Sequence, residues 1–117
     1  MFLNKLQLIG FLGSDPELKT TPNGKKTVTV SVASTEVWKD AEGNRQQHTE
    51  WTPVVFWGKD AENVSKRLTK GSALFVEGRK RTREYLDGKG TKQRIVELIS
   101  ENWQHLDRTQ GNVESPE

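Results

Sequence analysis

Trp38, Trp51, Trp57 and Tyr85 are the side chains of this 117-residue sequence with the most evident chemistry to offer. All four lie in or beside basic or polar stretches. A flat aromatic face can stack on any nucleic-acid base, with little sequence preference and roughly 1–3 kcal/mol per stacked base. Lys5, Lys59, Lys70, Arg81, Arg83 and Lys92 are placed to neutralise the phosphates that follow such bases. The two-residue spacing of Arg81 and Arg83 puts both guanidinium groups on one face of a strand. Taken singly, Trp51 or Trp57 could equally be a core or subunit-interface residue, and a run such as Arg79-Lys80-Arg81-x-Arg83 is commonly a solvated face. Trp103 follows an apolar strand centre and reads as packing.

Other chemistries find no support in the sequence. It contains no cysteine, so disulfides, thiolate metal sites and a cysteine nucleophile are excluded. His48 and His105 stand alone, and Asp40-x-Glu42 is loop chemistry rather than a metal cage. Gly-Lys pairs at 24–25, 58–59 and 88–89 lack a preceding phosphate loop. No catalytic residue, metal or cofactor is expected.

These side chains need strands to position them. Residues 3–13 are strand-like, with Gly10 and Gly13 suggesting a bulge or bend. Residues 27–34 alternate cleanly, Val28, Val30 and Val32 on one face and Thr27, Thr29 and Ser31 on the other. Residues 37–48 are polar and read as a long loop or extended hairpin holding Trp38. In residues 49–57 alternation places Trp51, Pro53, Val55 and Trp57 opposite Thr52, Val54 and Phe56. Val54 and Phe56 can face a core, which leaves two indoles on the other side. Pro53 donates no ladder hydrogen bond and belongs at an edge or bulge.

Residues 60–69 form the one convincing helix, with Asp60 as N-cap, an Ala61/Val64/Leu68 stripe and Gly71 at the C-terminal cap. Residues 72–85 make a strand that is apolar early and basic late. Asp87-Gly88-Lys89-Gly90 is hairpin chemistry, and residues 92–103 return from it.

The order β-β-β-α-β-β predicts an all-β OB-fold, a five-stranded antiparallel Greek-key barrel with one short helix between strands 3 and 4. Residues 1–105 form this domain and residues 106–117 a short disordered tail. Mean hydropathy is −0.80 and the apolar fraction 32%, enough for a small barrel core but not for a large enzyme cleft. Apolar runs are too short for a membrane span, and strand-like sequence begins too early for a leader, so a cytoplasmic protein is expected. Net charge is only +2, yet residues 79–94 hold seven basic residues against two acids. That local excess points to an anionic partner.

Short stretches resemble the bacterial-type single-stranded DNA-binding proteins, in family order across residues 1–105. They include Asn4-Lys5-x-x-Leu8-Ile9-Gly10-x-Leu12-Gly13-x-Asp15-Pro16-Glu17, Pro22-Asn23-Gly24, Thr49-Glu50-Trp51, Val54-Val55-Phe56-Trp57-Gly58-Lys59, Lys70-Gly71-Ser72 and Val76-Glu77-Gly78-x-x-Arg81-Thr82-Arg83. The resemblance implies a sequence-tolerant binder of single-stranded DNA, acting in replication, recombination or repair as a homotetramer of OB-folds. It places base-stacking rings at Trp38, Trp51, Trp57 and Tyr85. Phosphate-contacting groups fall on Lys5, Lys19, Lys59, Lys70, Arg81 and Arg83. Where the family commonly has His near its subunit contacts, this sequence has Thr52, followed by Pro53. The sequence stops at Ser115-Pro116-Glu117 without the family's acidic tip, so docking of replication enzymes there is not expected. A second reading is a primosome-type OB-fold accessory protein acting mainly through protein contacts, for which fewer stacking rings would be expected.

Overall fold

The computed structural model describes residues 1–106. The tail expected at 106–117 therefore lies, beyond Leu106, outside the described residues. Six strands and one helix follow in order: β1 (Leu6–Leu12), β2 (Lys19–Thr20), β3 (Lys26–Lys39), β4 (Arg45–Trp57), α1 (Lys59–Arg67), β5 (Ala73–Leu86) and β6 (Lys92–His105). The two-residue β2 is an addition to the five expected strands. It lies against the start of β3, with Lys19 opposite Thr27.

Sheet order is β1-β5-β6-β4-β3-β2, and β1 also pairs with β3 through Phe11↔Ala33 and Leu12↔Val32. That extra pairing closes a five-stranded barrel. One junction departs from the all-antiparallel expectation: β4 and β6 run parallel, joined at Val54↔Leu98 and Val55↔Ile99. Five is an odd number, so strand direction cannot alternate at every junction of the closed ring β1-β5-β6-β4-β3, and one neighbouring pair must run parallel.

Period-two patterning becomes the barrel wall. Val28, Val30 and Val32 of β3 and Val54 and Phe56 of β4 are buried, together with Leu12, Leu74, Val76 and Leu98. Ala61, Val64 and Leu68 are buried in the same cluster, so the helix plugs the barrel with the stripe read from the sequence. Burying side chains of this kind contributes about 1.5–3 kcal/mol each.

Both helix caps differ from expectation. The N-cap is Gly58, at φ +64°, with no side-chain cap hydrogen bond, and Asp60 lies inside the first turn beside Glu62. Their carboxylates suit the positive end of the helix dipole without capping it. At the other end Leu68 is extended and returns its N–H to Val64, while Gly71 sits in the following turn and donates to Leu12 O at 2.8 Å. Gly10 is not a bulge either. It stays in register opposite Leu74, and a Cβ there would meet Ala33 O at 2.2 Å, so the residue permits close approach of β3. The register shift falls instead at Glu77/Gly78 of β5.

The polar stretch 37–48 is an extended hairpin. β3 and β4 pair without interruption from Thr27↔Trp57 to Lys39↔Arg45. Its outer half stands off the barrel with both faces largely exposed, which is why no alternation marks it. β5 and β6 extend likewise to Leu86↔Lys92. Pro53 lies opposite Ser31, just before the β6 pairing begins at Val54, so its missing donor falls where the second side of β4 is an edge.

Candidate nucleic-acid interface

The structure leaves all four proposed rings accessible. Trp38 is 47% exposed, Trp51 58%, Trp57 39% and Tyr85 46%, each too open to be a core residue. Trp103 is the contrast: it packs edge-on against buried Phe56, with ring centroids 6.1 Å apart. On β4, Val54 and Phe56 turn inward and Trp51 and Trp57 outward as read, but Val55, expected on the outer face with the rings, is buried outside the core cluster where β4 pairs with Ile99 of β6. Trp51 rests against Gly13, whose N–H is fixed by Ser31 O at 2.9 Å.

Trp38 and Tyr85 stand on the two arms. Both arms end in the same turn, Asp-x-x-Gly-x-x-Gln, at 40–46 and again at 87–93. Asp40 Oδ1 accepts the backbone N–H groups of Glu42 and Asn44, and Oδ2 accepts Gln46 Nε2 at 3.1 Å. Asp87 repeats this with Lys89, Thr91 and Gln93. Gly43 and Gly90 occupy the left-handed position in each, at φ +83° and +79°. In each arm the ring lies two residues before the Asp and directly opposite the Gln: Trp38↔Gln46 and Tyr85↔Gln93. The backbone N–H of Asn44 holds the Asp40 carboxyl below the usual carboxylate range, with Glu42 and Gln46 adding to it. Thr91, then Lys89 and Gln93, do the same for Asp87. This repeated motif was there to be read in the sequence, and the site residues named from sequence did not include it.

Arg81 and Arg83 share a face of β5, as their spacing predicts, but both are engaged from below. Glu97 of β6 is 1% exposed, and its Oε1 accepts Arg81 Nη2 at 2.8 Å and Arg83 Nε at 3.0 Å. The Arg83 guanidinium carbon also lies 5.9 Å from the centroid of the Tyr85 ring. A buried carboxylate thus orients two guanidinium groups, one of which sits beside the exposed Tyr85 ring.

The lysines are spread around the barrel. Lys5 Nζ is 3.5 Å from Glu77, Lys19 3.7 Å from Glu17 and Lys92 3.6 Å from Glu84. Exposed pairs of this kind contribute about 0–1 kcal/mol, so a phosphate can displace the carboxylate at little cost. Glu77 is itself held below the usual range by hydrogen bonds from Gln7 and Asn102, with Lys5 adding to them. Lys59 and Lys70 have no carboxylate partner among the described residues. Lys70 uses its backbone N–H on Asp15 Oδ1 at 2.7 Å.

Neither histidine is part of a reactive constellation. His48 pairs with Glu50 at 2.6 Å on an exposed arm. His105 closes β6 opposite Leu74. Among the described residues no group of three or more His, Asp or Glu could hold a metal ion, and no helix is long and apolar enough to cross a membrane.

A closed five-stranded barrel with exposed rings on its strands and arms is an OB-fold binding module. The chain belongs to the single-strand binding protein family, whose model matches residues 3–106. It is 47% identical over 111 residues to a single-stranded DNA-binding protein of Xylella fastidiosa, covering 94% of this chain and 82% of that one. A Chlorobaculum tepidum single-stranded DNA-binding protein is 43% identical over 105 residues, covering 89% and 65%. For one from Rickettsia felis the figures are 42% over 103 residues, 86% and 68%. The fold is also similar to a solved Plasmodium falciparum SSB in complex with ssDNA, at TM-score 0.82 and 29% identity, covering 92% of this chain and 97% of that one.

Proposed function

We propose that this protein binds single-stranded DNA with little sequence preference and shields it during replication, recombination or repair. The observation that carries this reading is the exposure of Trp38, Trp51, Trp57 and Tyr85 on one barrel and its arms. Bases stack on these rings. Lys5, Lys19, Lys59, Lys70, Arg81, Arg83 and Lys92 meet the phosphates between them. The barrel supplies rigid positions and no reaction is performed. The protein works in the cytoplasm, on DNA, as a homotetramer of OB-folds. Four exposed rings weigh against the primosome-type alternative.

Titration with a dT oligomer tests the reading. Tight binding that weakens steeply with salt, tryptophan quenching and little affinity for duplex are expected. Equal affinity for duplex and single strand at moderate salt overturns it. Mass measurement with and without the oligomer reports subunit number and stoichiometry together, and a monomer or dimer overturns the tetramer.

A further inference from the structure

An open recess of about 630 Å³ lies where β4 runs into α1, lined by Gly24, Lys25, Lys26, Trp57 and Gly58. We propose that it seats one nucleotide of the bound strand, the base against Trp57 and the phosphate held by Lys25 and Lys26. The inference rests on the single-strand reading above and adds two contacts that the resemblance does not supply.

The two sides of the recess are tied together. The turn before β3 is closed by Thr21 N–H to Lys25 O and Gly24 N–H to Thr21 O, both 2.8 Å, and Thr21 Oγ1 accepts the Lys25 N–H at 3.1 Å. Gly58 donates to Lys26 O at 2.9 Å across the gap, and Trp57 lies opposite Thr27. Gly24 and Gly58 both hold left-handed φ, +85° and +64°, and no atom lies within 4 Å of where a Cβ would stand on either. The recess therefore presents bare backbone, an indole and two ammonium stems, with no acidic residue among its lining. Asp60, two residues past Gly58, lines a different cleft with Arg67 and Trp103. A simple anion would have no use for the ring, and a neutral aromatic none for the lysines. A base with its phosphate uses both.

The test is the salt dependence of dT-oligomer binding for three proteins: wild type, Lys25→Gln/Lys26→Gln, and Lys66→Gln/Arg67→Gln as a control in the last turn of α1. Glutamine keeps the stem of half-buried Lys26, and circular dichroism checks the fold. The first variant should lose about 0.7 from the slope of log K against log salt, the share of the one single-strand phosphate the two lysines hold. The control should keep the wild-type slope. A wild-type slope in the first variant overturns the inference. So does an equal loss in the control, which would mean a general field rather than a local site. If wild type itself fails to prefer the single strand over duplex, the parent reading falls and this one with it.

Discussion

The indole of Trp51 lies so close to Gly13 that a β-carbon on Gly13 would meet its Cζ3 at 2.6 Å and its Cη2 at 3.2 Å. The backbone at Gly13 is held by Ser31, so one part of the ring has a fixed support while most of its surface stays open. A ring held in place before binding loses less rotamer freedom on stacking.

Gly13→Ala should therefore act on the ring and not on the fold. The conflicting atoms belong to the far end of an exposed side chain, which can swing away, so unfolding in urea should shift by no more than about 0.5 kcal/mol. Affinity for dT should fall, by up to the roughly 1–3 kcal/mol that a stacked base contributes. Unchanged affinity with an unchanged fold would mean that Trp51 does not need this support.

Trp51→Ala and Trp57→Ala should each weaken dT binding by about 1–3 kcal/mol and leave the salt slope intact, because stacking releases no counterions. Trp103→Ala should do the reverse, lowering stability through lost packing on Phe56 with little direct effect on affinity. Denaturation curves and salt titrations on the three variants separate these outcomes. Unfolding of the Trp51 variant with affinity preserved would reassign that ring to the core.

What could be read from the sequence follows from where each side chain has to go. Barrel walls bury one face, so Val28, Val30 and Val32 announced β3, and the Ala61/Val64/Leu68 stripe announced the plug. The arms bury neither face, so residues 37–48 carried no period to read. Asp60 has the chemistry of an N-cap, but the turn at Gly58 begins the helix sooner. The recess beside Trp57 depends on Lys26 meeting Gly58 from a distant part of the chain. Glu97 is a different case. Once the Asp87–Thr91 turn is recognised, hairpin register places Arg81 opposite Glu97, and the buried pairing could have been derived. A count of basic residues alone hides it.

Glu97 makes Arg81 and Arg83 unequal to free surface arginines. Arg81→Ala should reduce the salt slope by about 0.7, one single-strand phosphate, while Arg83 still satisfies the carboxylate. Arg81→Ala/Arg83→Ala strips the buried carboxylate of both partners and should cost about 3–5 kcal/mol of stability, reduced in proportion to whatever water reaches it. Adding Glu97→Gln to that pair should restore much of the loss, measured by urea denaturation. A double variant as stable as wild type would show that Glu97 does not depend on them.

The Asp40 and Asp87 turns make the arms sensitive to acid. Each carboxyl is held below its ordinary value by backbone N–H donors, Asn44 first for Asp40 and Thr91 first for Asp87. A depressed native pKa means stability that is full above the unfolded-state value and lost as pH falls through the native one. Acidification through the carboxylate range should therefore loosen both arm tips before the barrel: Glu77 on the barrel wall is also held low, but the wall rests on its apolar cluster, whereas each arm turn rests on its one carboxyl. Protection factors of the Glu42, Asn44, Lys89 and Thr91 amides, taken against the intrinsic exchange rate at each pH, should fall first, while Val30 and Val54 stay protected. Asp40→Ala and Asp87→Ala should give the same local loosening at neutral pH and lower dT affinity, because Trp38 and Tyr85 stand two residues from the turns. If the arms open only together with the barrel, the two carboxylates are not what holds them.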